Sequence, residues 1–156
     1  MWRHLERSHL NETETTTALE RKLTTLTHHM QALEFRKSAN ELRSMWVIGN
    51  EYLQRAEPWM KIKKDPLSAG VSIRYALNLA VVFAALAQPF IPETSARISL
   101  ALGSTDSALA WPKTLADELS QLTPGARISV PEVLFAKIED TQLAAWAGRF
   151  GGASEK

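Results

Sequence analysis

A chain of 156 residues with 45% hydrophobic and 22% charged side chains suits one domain around one core, burying about two thirds of its unfolded surface, and leaves no room for a second full domain. Its formal net charge of +1 excludes the broad basic excess of a protein gripped by nucleic acid over much of its surface, so any such contact must be local. The absence of cysteine excludes disulfides, thiolate zinc sites and cysteine nucleophiles, and it fits a reducing, cytoplasmic setting.

The opening MWRHLERSHLNETETTT lacks the apolar core of a secretion signal. Residues 1–13 are expected to be a flexible segment ahead of a helical domain over 14–150, with 151–156 a frayed tail. Over residues 15–30, Leu19, Leu23, Leu26 and Met30 recur at spacings of four, three and four, one apolar stripe on a helix. Asn11 or Thr13 is a candidate cap for its start, with Glu14 near the positive end of the dipole.

A second helix is predicted over 34–55, with Phe35, Ala39, Leu42, Trp46, Gly49 and Leu53 on its apolar face and Trp46 in the core. Pro58 should end it, because the residue before a proline is pushed out of the helical region. Asp65 and Pro66 read as cap and first residue of a third helix whose apolar run continues to Ala87. Its richest stretch, ALNLAVVFAALAQPFIP, is interrupted by Asn78 and Gln88 and broken by Pro89. That falls short of the roughly 20 apolar residues that span a bilayer, so the helix is expected to be central and no membrane is implied. Pro89 and Pro92 bracket a turn, and residues 93–103 read as a fourth helix finished by glycine.

The fold class expected is all-α: an antiparallel bundle of four helices with an irregular C-terminal tail folded back on it. Within that tail, STDSALAWPKTLADELSQL holds a short helical stretch, TPGARISV carries turn signals, and Glu139–Asp140 opens a last short helix.

No constellation for catalysis is legible. His4, His9, His28 and His29 have no partners at metal-ligand spacing and read as solvent-facing. The glycines form no phosphate-binding loop. KIKKD shares lysines with the signature loop of class I aminoacyl-tRNA synthetases but lacks its serine and the surrounding fold. No catalytic residue, metal, cofactor or small-molecule substrate is therefore assigned. What stands out is Trp59 at the helix break, with Arg55, Lys61, Lys63, Lys64 and Arg74 nearby in sequence. It has two readings: a plug closing the end of the bundle, or an exposed ring on which an unpaired base stacks while cations meet phosphates.

The succession EFRKSANELRSMWVIGNEYLQRAEPWMKIKKDP, then AQPFIPETSARI, an LG, a WP, an L-x-P-G and PEVLFAKIED resembles the anticodon-binding domain of bacterial methionyl-tRNA synthetase over residues 19–140. The resemblance implies a helical bundle packed beside a catalytic domain and receiving the CAU anticodon of methionine tRNA. It implies that Trp59 contacts the first anticodon base, projecting where the proline stops the helix, and that Asn50 orders this junction or touches RNA. Lys61, Lys63, Lys64 and Arg55 are the candidate phosphate contacts. The family's other anticodon-reading residues, an asparagine and an arginine on a connecting helix, precede the matched region; Arg3, Arg7 and Asn11 do not reproduce their pattern. The nucleotide-binding fold with its two signatures is likewise expected to be absent, so the chain should not activate methionine. The alternative is a non-catalytic interaction domain derived from the synthetase that no longer reads RNA and docks on a partner such as the catalytic domain.

Overall fold

The computed structural model describes residues 2–103 and 109–151, with side chains from residue 12 onward. Four long elements form the bundle: α1 (Trp2–Gln31), α2 (Phe35–Ala56), α4 (Pro66–Ala87) and α5 (Pro92–Ala101). The short α3 (Pro58–Lys61) and α6 (Leu115–Glu118) lie in the connections, and α7 (Asp140–Phe150) closes the chain. The frayed end expected for 151–156 lies, from residue 152 on, outside the described residues.

Helix α1 packs along α2, and α4 contacts α1, α2, α3, α5 and α6, which makes it the centre of the bundle. The α1 stripe is as its spacing predicts: Leu19, Leu23 and Leu26 are buried and Met30 packs against the same cluster. Each such leucine contributes about 1.5–3 kcal/mol by leaving water. The helix already runs at Trp2, so neither Asn11 nor Thr13 caps it; Thr17 Oγ1 instead donates back to the Thr13 carbonyl at 2.9 Å, inside the helix. Such back-bonding suits a threonine in mid-helix.

Helix α2 buries Ser38, Leu42, Met45, Tyr52 and Ala56, which corrects the predicted face. Phe35 and Ala39 are exposed, and Trp46 is 36% exposed. The stripe through Leu42 continues one residue earlier than expected, at Met45 instead of Trp46, because Ser38 and Tyr52 count as inward-facing once their hydroxyls have partners. Ser38 Oγ donates to the Glu34 carbonyl at 3.1 Å, and Tyr52 OH donates to Glu12 Oε1 at 3.0 Å. Polar residues with internal partners are compatible with a core, and periodicity that scores only apolar residues passes over them.

His29 is half-buried and sits 2.7 Å from Glu34 Oε2, which corrects the expectation that the histidines simply face solvent. With Lys37 Nζ 2.6 Å from the other oxygen, it ties the α1–α2 turn. The hydrogen bond from Lys37, and then that from His29, hold the Glu34 carboxyl below its ordinary value.

Asp65 caps α4 as expected, its Oδ1 accepting from Ser68 N at 3.1 Å, with Pro66 as first helical residue. The helix is by length and composition apolar enough to cross a membrane, yet half of that window is covered by its neighbours. Asn78, which interrupts the apolar run, is fully buried. Its Nδ2 donates to the Arg74 carbonyl at 2.9 Å and its Oδ1 accepts from Leu122 N at 2.8 Å, so one buried amide fastens the tail to the central helix.

Helix α5 ends at Ala101 with Leu102 as its cap, and Gly103 turns at φ +87°, a left-handed conformation that a side chain would strain. The tail then passes that end: Ser129 N donates to the Ala101 carbonyl at 2.7 Å. Arg97 and Arg74 donate to the carbonyls of Glu132 and Leu122. The tail thus folds back as far as residue 132; among the described residues beyond it none is buried. Glu139 and Gln142 form the reciprocal capping box that starts α7, the last helix predicted there.

The two tyrosines of the chain face each other in the core, ring centroids 4.6 Å apart. Burial pushes the Tyr75 phenol up to about 12 and Tyr52 higher still. An unfolded tyrosine ionises near pH 10. From there toward pH 12 only the unfolded state gives up these protons, so stability is full below pH 10 and falls as pH rises. An alkaline titration should therefore show phenolate absorbance appearing only together with loss of helical circular dichroism. A phenolate signal near pH 10 with the helices intact would mean that the pair is not in the core.

Candidate nucleic-acid interface

At the end of α2 the chain reverses in a few residues. Glu57 takes φ +44°, ψ +52°, left-handed and not the extended conformation favoured before proline. Its N–H still bonds the Leu53 carbonyl at 3.1 Å, ending α2 with no orphaned donor. Pro58 is buried and opens α3, and Trp59, the next residue, is 50% exposed. The plug reading of Trp59 fails on that exposure, since a ring closing the bundle would be covered.

Around the ring the sequence alternates apolar and basic. Met60 and Ile62 are exposed, as is Leu67 at the start of α4, while Lys61 is half-buried and Lys63 and Lys64 are exposed. The turn is tight: Ile62 N bonds the Pro58 carbonyl at 2.9 Å and Asp65 N the Lys61 carbonyl at 2.8 Å. One short hydrogen-bonded segment therefore carries Trp59, Lys61, Lys63 and Lys64 together. An aromatic ring interleaved with cations is an arrangement on which a base stacks while phosphates are neutralised.

Asn50 and Arg55 lie one step back, on the exposed side of α2, where they line a shallow depression of ≈ 440 Å³ with Val47, Glu51 and Gln54. Arg55 Nε donates to the Glu51 carbonyl at 3.3 Å, which fixes the stem of the side chain along its own helix. Arg74, near Trp59 in sequence, has its Nε 2.8 Å from the Leu122 carbonyl and serves the tail. Val47, Gln54, Met60 and Ile62 were not singled out from sequence. The usable signal for the last two was the alternation MKIK itself; Val47 and Gln54 are marked only by their three- and four-residue spacing from Asn50. Among the described residues no three acidic, histidine or cysteine side chains converge as a metal site.

A family model described as the anticodon binding domain of methionyl tRNA ligase matches residues 6–155. The chain is 48% identical to a methionine–tRNA ligase of Maricaulis maris over 147 residues, 93% of this chain and 26% of that protein. It is 51% identical to the corresponding ligase of Caulobacter vibrioides (strain NA1000 / CB15N) over 133 residues, 85% of this chain and 23% of the relative. With the ligase of Ruegeria sp. TM1040 the identity is 51% over 124 residues, 80% and 21% of the two chains. The chain thus spans about a quarter of the length of the curated relatives it matches.

Proposed function

The chain belongs to the anticodon-binding domain family of methionyl tRNA ligase, and from that premise we propose that it binds methionine tRNA by the CAU loop and positions it for aminoacylation in the cytoplasm. Chemistry on the amino acid falls to the part of such a ligase outside the matched quarter; this chain contributes binding. Trp59 stacks on an anticodon base, Lys61, Lys63, Lys64 and Arg55 oppose phosphates, and Asn50 hydrogen-bonds at the junction. The observation that carries the reading is the half-exposed Trp59 ring, held out from the bundle by a buried proline.

The test is a titration of the chain against a stem-loop with the CAU anticodon and one with a scrambled loop, at two salt concentrations. Preference for CAU is expected. Four phosphate contacts would lower affinity roughly sevenfold for each doubling of salt. Binding indifferent to loop sequence, or insensitive to salt, would overturn the proposal and leave the domain as a protein-docking unit.

A further inference from the structure

A cleft of ≈ 420 Å³ runs between the outward face of α4 and the tail, within the size range of sites that hold small molecules. From α4 it is lined by Leu67, Val71 and Leu77, and from the tail by Leu122, Pro124 and Ile128, with the exposed Arg74 beside them. Its walls are held by the fold itself. Leu122 is bonded from two sides, its N–H by Asn78 Oδ1 and its carbonyl by Arg74 Nε, each at 2.8 Å. Pro124 and the left-handed Gly125 then occupy the centre of a turn closed by Ala126 N on the Thr123 carbonyl at 3.1 Å, the positions that proline and glycine favour in a type II turn.

Gly70 gives the cleft its depth. Glycine inside a helix is destabilising relative to alanine, so its presence in α4 asks for a reason. Gly49 in α2 has one: a Cβ there would meet the Phe83 ring at 2.7 Å. At Gly70, which also lines the cleft, a Cβ would meet nothing within 4 Å. No neighbouring element needs that glycine in order to approach, and its effect is open space between α4 and the tail.

The lining narrows the ligand. Among the described residues no aromatic side chain lines the cleft, so a nucleobase has no ring to stack on. No acidic side chain lines it either, so an ammonium or a zwitterionic amino acid would bury a cation without a partner. The one charge present is the Arg74 guanidinium. Its Nε serves the tail, and no ion pair among the described residues occupies its terminal nitrogens.

We propose that this cleft is a binding site for a small aliphatic carboxylate, a monoanion with a hydrocarbon body of medium length. The hydrocarbon lies along α4 over Gly70, between the apolar side chains of helix and tail, and the carboxylate takes a two-point hydrogen bond from the terminal nitrogens of Arg74. The inference stands on α4 and the tail alone and does not depend on the anticodon reading.

The test is isothermal titration calorimetry of the chain with octanoate, with octanol and octylammonium as controls, at two temperatures so that a vanishing enthalpy at one of them does not hide binding. Octanoate should bind one to one with a Kd below about 1 mM, octanol about tenfold more weakly, and octylammonium more weakly still. Arg74→Gln, whose amide can still donate to the Leu122 carbonyl, should bring octanoate down to the affinity of octanol and leave octanol unchanged. Gly70→Leu should abolish binding of both, with a melting temperature no lower than the parent's, because its Cβ meets no neighbour and leucine is the better helix former. Absence of octanoate binding would overturn the proposal, as would equal affinity for octanoate and octanol. Undiminished binding by Gly70→Leu would also overturn it, since the ligand would then sit elsewhere.

Discussion

Trp59→Ala should weaken binding of a CAU stem-loop by about 1–3 kcal/mol, five- to 150-fold, while the stability of the domain changes by no more than about 1 kcal/mol. The asymmetry follows from position. The ring is half in solvent, so its removal exposes little new surface and opens no sealed cavity, whereas a base stacked on it would lose its platform. Fluorescence anisotropy with labelled stem-loop measures the first quantity and thermal melting the second; for a domain of this size 1 kcal/mol moves the midpoint by about 2–4 °C. Parallel losses of stability and affinity would show that the ring supports the bundle, and that something else holds the RNA.

Met45→Ala, by contrast, should cost about 2–5 kcal/mol of folding free energy, the range for emptying a core position that cannot collapse. Met45 is fully buried against α1 and α4 residues, while its neighbour Trp46 is 36% exposed. Trp46→Ala removes a larger side chain, yet water refills the space and no cavity remains, so a loss of about 1–2 kcal/mol is expected. Denaturant unfolding with an unchanged m-value checks both. A Trp46→Ala loss equal to that of Met45→Ala would place the tryptophan on the inward face after all.

Most of the bundle is legible in the sequence because its signals are local. The α1 leucine stripe, the Asp65–Pro66 start of α4, the glycine turn after α5 and the Glu139 start of α7 each depend on residues within a few positions of one another. The α2 face was misread where burial is decided by partners distant in sequence: Tyr52 is in the core because Tyr75 and Glu12 meet it there. For the same reason Asn78 read as an interruption in an apolar helix, since its function as a tail anchor exists only once Leu122 has folded against it. At the candidate interface, clustering identifies Trp59 and the lysines and leaves plug and exposed ring both open; only the resemblance implies a projecting ring, and its 50% exposure follows from how the buried Pro58 packs.

The left-handed turn at Glu57 carries weight beyond ending a helix. A non-glycine residue there costs roughly 1–2 kcal/mol, and the fold holds it with the Leu53 bond on one side and buried Pro58 on the other. The direction of Trp59 is thus set by backbone dihedrals that exist before any ligand arrives. A partner meeting such a preorganised ring need not wait for the protein to rearrange. On the reading proposed for this chain, the slow step of encounter would be the unstacking of the RNA loop, and association rates would follow the flexibility of the anticodon more than that of the protein.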